Sequence, residues 1–408
     1  SNTRRYDLRK IGRWVSSLFL VLGKSIRMLQ NPLHKGVFLL QKRMRSGRTT
    51  GTCAAAALKA ALLAWQGEMP TQVAVQTPQG SWLQVPVEEA AVLKQGGRAV
   101  VRKDAGDDPD ITHGALLVAE VSLHPGEGWT LSAGPGVGTV TKPGLAMAPG
   151  EPAINPGPRR MLALVLDELL PEGMGAEVTL SIPGGEELAK RTLNPSLGIC
   201  GGLSIIGTTG IVEPMSEEAF KNSLAPQLRV AQAQGFESVV LVPGRIGQDA
   251  AILKYGLPDE SVVQMSNFVG FMLTKAAEFG LKKVLLFGHL GKLAKVAAGI
   301  FHTHNRMADG RMETLAAYAA LLGASQETVK DILDATTTEG AMPFITAAGL
   351  GEKLYPLLAV KASERAKRHV FGDLEVGTVI VTLQGELLGM DEDAKKIGET
   401  MGWNIKSL

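Results

Sequence analysis

The sequence predicts an α/β fold in which an α+β N-terminal domain precedes a Rossmann-like α/β C-terminal domain. Three observations support this class. The second half alternates short apolar strands, loops and helices, which is typical of a parallel sheet. The first half is richer in strand patterns and contains two helical patterns. The 408 residues include 48 glycines and 45% hydrophobic residues, which suits an α/β enzyme with many tight loops.

Residues 1–44 are predicted to be a basic amphipathic extension. Ile11, Trp14, Leu18 and Leu22 recur at helical spacing among basic residues. Such a helix could lie on a membrane surface, dock on a partner, or be sequence that the enzyme does not need. We favour the last interpretation, because the family resemblance described below begins near Arg45.

Charge and cysteine content restrict the partners and the compartment. Residues 1–45 hold eleven basic residues and one acidic residue, which leaves 31 basic and 39 acidic residues for the rest. The body is therefore acidic and gives no reason to expect nucleic acid as a partner. Two cysteines, Cys53 and Cys200, cannot form a disulfide framework or a CxxC metal site. We therefore expect a cytoplasmic protein. Whether it forms a homo-oligomer stays open.

The first domain, residues 45–195, opens with a helix predicted from Cys53 to about Trp65. Threonines that suit an N-cap precede a run of four alanines, which favours a helix start. The other predicted elements are a hairpin within 71–87, a strand at 99–102, a strand or short helix from 112 or 113 to 121, a strand at 129–131, a helix at 158–170 and a strand at 177–182.

The second domain, residues 196–408, is predicted to open with a buried strand at Leu203–Ile206, then loop 207–214 and a helix capped by Ser216. The other predicted elements are strands at 238–242, 283–287 and 378–383, and helices at 268–279, 292–300, 311–322, 326–335 and about 357–369. We expect loops 207–214, 243–247 and 288–292 to share the carboxyl edge of one parallel sheet, where ligands bind.

An acidic loop at 103–110 carries four aspartates and is followed by His113. Carboxylates this dense repel one another unless they meet a cation, hydrogen-bond donors or water. The spacing fits no EF-hand. Metal binding, a general base with a raised pKa and simple turn capping therefore stay open. Asp104 is our preferred catalytic candidate in this loop.

Glycine-rich loops provide further candidates. The loop 134–144 contains neither a P-loop nor a dinucleotide fingerprint. Gly207–Gly210 follows a predicted strand, and Glu213 just after it could accept hydrogen bonds from ribose hydroxyls. His289 also follows a strand and could act as a base, although a loop histidine is more often a surface residue. His302 and His304 have poor spacing for a shared metal, so we predict no protein-bound metal.

Seven sequence blocks resemble the cobalt-precorrin-5B C1-methyltransferase family of anaerobic cobalamin biosynthesis. That family usually has an aromatic residue at the position of Arg48. The blocks are RSGRTTGTCAAAA (45–57), KDAGDDPDITHG (103–114), GVGTVTKPGL (136–145), EPAINP (151–156) with Arg159 and Arg160, GTTGIVEPMS (207–216), FGHLGK (287–292) and ADGR (308–311).

The resemblance implies transfer of a methyl group from S-adenosylmethionine to C1 of cobalt-precorrin-5B, which gives cobalt-precorrin-6A. Cobalt would arrive with the substrate. The usual E/D-x-G-x-G-x-G methyltransferase fingerprint is absent, so the methyl donor rests on the resemblance. Two rival interpretations are a non-catalytic corrinoid carrier and a nucleotide-dependent enzyme that uses Gly207–Gly210 for a phosphate.

These considerations give three groups of candidate site residues. The base is Asp104 or His289. Basic side chains bind the carboxylate arms of a corrinoid, and our candidates for this role are Lys142, Arg159, Arg160, Lys292 and Arg311. The expected cofactor-binding residues are Thr49, Thr50, Gly51, Gly207, Thr208, Thr209, Gly210 and Glu213.

Overall fold

The computed structural model describes residues 44–403, so the amphipathic pattern predicted in residues 1–44 lies almost wholly outside the described residues. Residues from Ser46 onward belong to one compact unit. Its α-helices are α1 (Thr50–Trp65), α2 (Pro156–Leu169), α3 (Gly185–Ala189), α4 (Glu217–Leu224), α5 (Pro226–Ala233), α6 (Arg245–Asp249), α7 (Val269–Glu278), α8 (Leu290–Ala297), α9 (Arg311–Leu321), α10 (Gln326–Asp334), α11 (Thr338–Ala347), α12 (Gly351–His369) and α13 (Glu392–Thr400).

The described residues also form strands, eight of which follow one another between α1 and α2. They are β1 (Gly47–Arg48), β2 (Gln72–Gln76), β3 (Trp82–Pro86), β4 (Glu89–Leu93), β5 (Gly96–Arg102), β6 (Leu116–Pro125), β7 (Trp129–Ala133), β8 (Gly136–Val137), β9 (Thr139–Val140), β10 (Met174–Ser181), β11 (Ile199–Cys200), β12 (Gly202–Leu203), β13 (Ile211–Val212), β14 (Ser238–Val242), β15 (Val262–Gln264), β16 (Lys283–His289), β17 (Glu375–Val381) and β18 (Leu387–Met390).

The first large sheet has the strand order β4-β5-β6-β10-β7. All its neighbours are antiparallel except the parallel pair of β10 and β7. Helix α1 packs against β5 and against α2, and its alanines allow a close approach. A Cβ added at Gly97 would lie 1.9 Å from the carbonyl oxygen of Ala61. Glycine is therefore required where β5 passes under α1.

The second large sheet has the order β15-β14-β16-β17-β18, with β18 antiparallel and the other strands parallel. Successive side chains enter two different cores. Val239 and Leu241 belong to one core, whereas Val240 and Val242 belong to the other. Helices therefore cover both faces of the sheet, as in doubly wound folds.

The direction of strand addition reverses between β14 and β16. The chain adds β15 on one side of β14 and then crosses to add β16 on the other side. The crevice beyond the carboxyl ends of two such strands is the usual ligand position in open parallel sheets. At this edge β14 ends at Val242 and β16 ends at His289.

The observed fold confirms the predicted α/β class. The hairpin within 71–87 forms as β2 and β3, and the stretch before Val121 is a strand and not a helix. Helix α12 begins at Gly351, earlier than the predicted start near residue 357, and it contains Pro356 in its second turn. Helices α3, α5, α6, α11 and α13 were not predicted as separate helices.

The prediction of a strand at Leu203–Ile206 was wrong in the extent of the strand and in its pairing partner. Only Gly202–Leu203 forms a strand, and it pairs with β8 in a separate two-stranded sheet. Ile205 makes an isolated bridge to Ile154. The loop after residue 207 therefore does not follow a strand of the parallel sheet, and its predicted place on that edge is also wrong. The proposed domain boundary near residue 195 stays a prediction.

Candidate active site

His289 lies at the switch point of the parallel sheet, between the end of β16 and the first turn of α8. Its Nδ1 atom is buried and has no hydrogen-bond partner among the described residues. A Cβ added at Gly291 would lie 3.1 Å from the ring of His289 and from the hydroxyl of Thr338. The absence of a side chain at Gly291 thus leaves room for this imidazole.

Burial lowers the pKa of His289 below its ordinary value of 6.5, and the nearby cations Lys292 and Arg311 lower it further. Glu339 acts in the opposite direction. The ring is therefore neutral at pH 7 and carries one nitrogen that can accept a proton. This is the state that a general base requires.

Two cations that were predicted to bind substrate, Lys292 and Arg311, are close enough to His289 to lower its pKa. The ammonium of Lys292 donates to Asn267 Oδ1 and lies 3.5 Å from the Thr303 carbonyl oxygen. Arg311 holds Asp309 through two hydrogen bonds of 2.8 Å. The structure thus brings Arg311 near His289 and Lys292, which lie three residues apart in one sequence block.

Lys295 is a further member of this region that the predicted site did not include. Its side chain is 1% exposed, and its ammonium donates to Thr303 O at 3.2 Å, Asn305 Oδ1 at 2.6 Å and Ala308 O at 2.9 Å. The three acceptors are neutral and belong to one loop. Lys295 therefore fastens the loop that leads into Asp309 and Arg311.

Two of the four carboxylates in the acidic loop hold the loop's own turns. Asp104 Oδ1 accepts from the Gly106 N–H at 2.9 Å. Asp110 accepts from Thr112 and binds the buried Lys103 ammonium at 2.5 Å. Burial would raise the pKa of Asp110, but Lys103 and Thr112 hold it below its usual value. These contacts match the turn-capping alternative for this loop.

Asp104 also lines a cavity of about 380 Å³. The cavity lies between the start of the described unit and the loop after β5. It is the place where the first two family-like blocks of the sequence meet. Its walls are formed by Arg48, Pro86, Glu88, Arg102, Lys103, Asp104, His113 and Gly114. Asp104 and His289 are therefore placed at two separate features of the fold, and a base role for either stays a prediction.

Thr49 and Thr50, which were predicted to bind the cofactor, hold two loops together with the neighbouring Thr52. Thr49 caps α1 by accepting from the Thr52 N–H. The Thr50 hydroxyl exchanges hydrogen bonds with the backbone of Ile206, and the Thr52 hydroxyl donates to Gly210 O at 2.6 Å. The N–H of Gly51 donates to Ile206 O at 2.9 Å. These donors are thus occupied, and cofactor binding by them stays a prediction.

The loop 207–210, which these threonines contact, is also closely packed. A Cβ added at Gly207 would lie 2.3 Å from Thr49 Oγ1, and one at Gly210 would lie 2.9 Å from Thr77. Thr209 bonds to the backbone of Ile211. Thr208 and Glu213 are exposed. Close packing of the two loops therefore accounts for both glycines.

The remaining basic candidates lie elsewhere. Arg159 donates to the carbonyl oxygens of Ile154 at 2.8 Å and Pro152 at 3.2 Å, so it supports the loop before α2. Lys142 lies 3.9 Å from Glu260. Arg160 is exposed. Among the basic residues predicted to bind substrate, only Lys292 and Arg311 are seen to influence a candidate base.

The fold defines an α/β protein, and the carboxyl edge of its parallel sheet carries a candidate ligand site in which two cations act on a neutral imidazole. Within the described residues, no group of three or more potential ligands is placed to hold a metal ion. Among the helices that the structure describes, none combines the length and the apolar character that a membrane span requires.

Comparison with known proteins identifies the family. Residues 39–214 match the CbiD family, and residues 302–392 match the CbiD C-terminal domain. The cobalt-precorrin-5B C(1)-methyltransferase of Moorella thermoacetica is 50% identical over 364 residues, which cover 89% of this chain and 99% of the relative. The enzyme of the same name from Desulfitobacterium hafniense is 49% identical over 357 residues, 87% of this chain and 92% of the relative.

The crystal structure of the cobalamin biosynthesis protein CbiD from Archaeoglobus fulgidus shares 30% identity, covers 65% of this chain and 83% of its own, and superposes with a TM-score of 0.36. The chain belongs to the CbiD family. The family matches and the two enzymes at 50% and 49% identity confirm the resemblance found in the sequence blocks.

Proposed function

We propose that this protein transfers a methyl group from S-adenosylmethionine to C1 of cobalt-precorrin-5B in cobalamin biosynthesis. The observation that carries this proposal is the 50% identity that extends over 99% of the Moorella relative of that name. A match over nearly the whole length of a relative includes both the sheet and the loops that form the candidate site.

The cluster at the switch point suits a substrate with several carboxylate arms. Lys292 offers a partly buried ammonium and Arg311 a planar guanidinium, which can bind carboxylates in a bidentate manner. The structure already shows Arg311 doing this with Asp309. In the proposed complex, these two residues hold the peripheral arms of the macrocycle and so orient its ring.

His289 can accept a proton near Lys292 and Arg311. Its lowered pKa keeps the ring neutral, so it can accept a proton that the macrocycle loses as the new carbon–carbon bond forms. The neighbouring Glu339, which bonds to the Thr338 hydroxyl at 2.9 Å, would then stabilise the imidazolium. Asp104 remains the alternative base.

S-adenosylmethionine would supply an electrophilic methyl group on a sulfonium. The protein must then align the accepting carbon with that methyl group and exclude water. The hydroxyls of Thr50 and Thr52 fit this cofactor poorly, since both are bound to backbone oxygens. The cavity beside Asp104 fits it better in size, since small-molecule sites measure roughly 300–1,000 Å³.

We also propose a cytoplasmic location. Both cysteines are free thiols, with Cys53 buried and Cys200 exposed, as a reducing compartment allows. We propose no nucleic-acid partner, because the chain after residue 45 is acidic.

The test is methyl transfer under anaerobic conditions. The protein is incubated with cobalt-precorrin-5B and S-adenosylmethionine that carries a labelled methyl group. We expect label in the macrocycle and an equal amount of S-adenosylhomocysteine. Absence of both products, together with an unchanged melting temperature in S-adenosylhomocysteine, would contradict the proposal and favour a corrinoid carrier.

A further inference from the structure

We propose that the macrocycle of the corrinoid lies against a row of four aromatic rings beside the candidate site. This ring row consists of Phe220, Phe268, His302 and His304. The inference rests on the proposed function, in which Lys292 and Arg311 hold the carboxylate arms. It adds which side chains hold the conjugated ring itself.

Successive rings of the row are in contact. The ring centroids of Phe220 and Phe268 lie 5.9 Å apart at an interplanar angle of 66°. Those of Phe268 and His302 lie 5.0 Å apart at 37°, and His304 follows at 6.5 Å from His302. Aromatic pairs favour edge-to-face and offset arrangements with centroids about 4.5–7 Å apart. The four rings therefore form one continuous aromatic surface.

Two backbone segments hold the row in place. Phe268 and His302 form an isolated antiparallel bridge. Beside this bridge, the Thr303 N–H donates to the Asn267 carbonyl oxygen at 2.9 Å. The two segments that carry three of the four rings are thus joined before any ligand binds, and the cost of ordering them is already met.

The two histidines of the row face outward. Side chains alternate along an extended segment. Phe301 stacks on His369 with centroids 4.2 Å apart, and Thr303 is fully buried. His302 and His304 therefore lie on the other side of the segment, and both are partly exposed.

The two phenylalanines of the row differ in exposure. Phe220 lies on α4 and is 51% exposed, whereas Phe268 is 9% exposed. Phe268 therefore supports its neighbours from below. The rings that a ligand can reach are those of Phe220, His302 and His304.

Positive charge lies directly beside the row. The Lys292 ammonium donates to Asn267 Oδ1 and lies 3.5 Å from the Thr303 carbonyl oxygen. Lys295 donates to the same carbonyl oxygen at 3.2 Å. Burial, Lys295 and Arg311 lower the pKa of Lys292, which places three cations in one region. An aromatic surface bordered by cations matches a conjugated ring with carboxylates on its rim.

The experiment measures the binding of two corrinoids by equilibrium dialysis, with detection by visible absorbance. Dicyanocobyrinic acid has carboxylate arms, whereas dicyanocobinamide has amide arms on the same ring. Cyanide occupies both axial positions of the cobalt in each probe. A histidine therefore cannot contribute to binding as a ligand of the metal.

The variants separate the aromatic ring from apolar bulk. Phe220→Leu and His302→Leu each remove one ring and keep an apolar side chain. Phe220→Tyr and His302→Phe keep a ring. Phe371→Leu is the matched control, because Phe371 is 94% exposed and precedes the amino end of β17, at the opposite edge of the sheet from His289. Melting temperatures show which variants keep the fold.

We expect wild-type protein to bind both corrinoids. Phe220→Leu and His302→Leu should each weaken the binding of both about ten-fold, because a lost aromatic contact carries roughly that much affinity. The two variants that keep a ring, and the control, should bind like wild type. Arg311→Gln should weaken the binding of dicyanocobyrinic acid only, since its contact is with a carboxylate arm.

Wild-type affinity for both corrinoids in Phe220→Leu and His302→Leu would overturn the inference, as would an equal loss in Phe371→Leu. Either result leaves methyl transfer by the wild-type protein, and so the proposed function, intact. Wild-type protein that binds neither corrinoid and transfers no label would refute the proposed function and this inference together. If His302→Leu fails to fold, Phe220→Leu decides alone, because it changes a half-exposed side chain on the surface of α4.

Discussion

The carboxylate of Asp108 accepts a hydrogen bond from the backbone N–H of Met215, with 2.9 Å between Oδ2 and N. Met215 has φ = 57°, in the left-handed region, and its side chain is 66% exposed. This bond fastens the acidic loop to the loop after residue 207. Two blocks that lie about a hundred residues apart in the sequence are thus parts of one local structure.

Removal of this bond should loosen the connection between the two loops. Asp108→Ala leaves the Met215 N–H without its charged acceptor, and we expect a loss of about 1 kcal/mol in the free energy of unfolding. Asp108→Asn keeps an acceptor oxygen and should retain most of the stability. Denaturant unfolding measures both. Equal stability of wild type and Asp108→Ala would show that the bond does not fasten the loops.

Lys295 should be far more sensitive than a surface lysine. Lys295→Met leaves three acceptors of the 303–308 loop without their donor, which we expect to cost about 2–4 kcal/mol. The control is Lys283→Met, because Lys283 is partly exposed and lies 3.6 Å from Glu375. That change should cost less than about 1 kcal/mol. Similar melting temperatures for the two variants would contradict the role of Lys295 in holding the loop.

His289 should make the free energy of unfolding decrease as the pH is lowered. Burial lowers its pKa in the folded state below the ordinary value of 6.5, so the unfolded chain binds the proton more readily. Stability is then complete above about pH 6.5 and falls as the pH drops below it. His289→Asn should flatten this part of the curve of unfolding free energy against pH.

The control for that measurement is His124→Asn, because His124 lies at an exposed end of β6. Its curve should keep the wild-type slope between pH 5 and pH 7. A His289→Asn curve that also keeps this slope would mean that another group is responsible for the loss of stability in acid.

Two arginines predicted to bind substrate should respond differently to the same substitution. Arg311→Gln should raise KM for the corrinoid about ten-fold, as expected for one lost charged hydrogen bond. Arg159→Gln should instead lower the melting temperature and leave KM near wild type, since its donors hold Ile154 and Pro152. Arg306→Gln is the control, because Arg306 is exposed in the same loop region as Arg311. An unchanged KM in Arg311→Gln would remove it from the substrate site.

Local patterns predicted several parts of the fold correctly. Continuous apolar runs identified β14 and β16, because both faces of that sheet are buried. The run of alanines identified α1, and Thr49 caps it. The position of His289 after a strand suggested a site, since parallel strands place their carboxyl ends at one edge.

Long-range pairing could not be predicted in the same way. The apolar run at Leu203–Ile206 contains no information about its partner, which is β8 in a small separate sheet. The hydroxyl of Thr50 bonds to a residue 156 positions away, so a cofactor role and a packing role look alike in the sequence. The sequence places Lys295 among the basic residues near the glycine-rich loops but does not show that it is buried, because its burial depends on the path of the 303–308 loop.

The most direct test of the central claim is the position of the transferred methyl group. Cobalt-precorrin-5B is incubated anaerobically with the protein and S-adenosylmethionine that carries ¹³C in its methyl group, and the isolated macrocycle is studied by NMR. We predict one enriched methyl signal with a long-range correlation to ring carbon C1. Enrichment at another ring carbon, or no enrichment in the macrocycle, would contradict the assignment of this protein as a C1-methyltransferase.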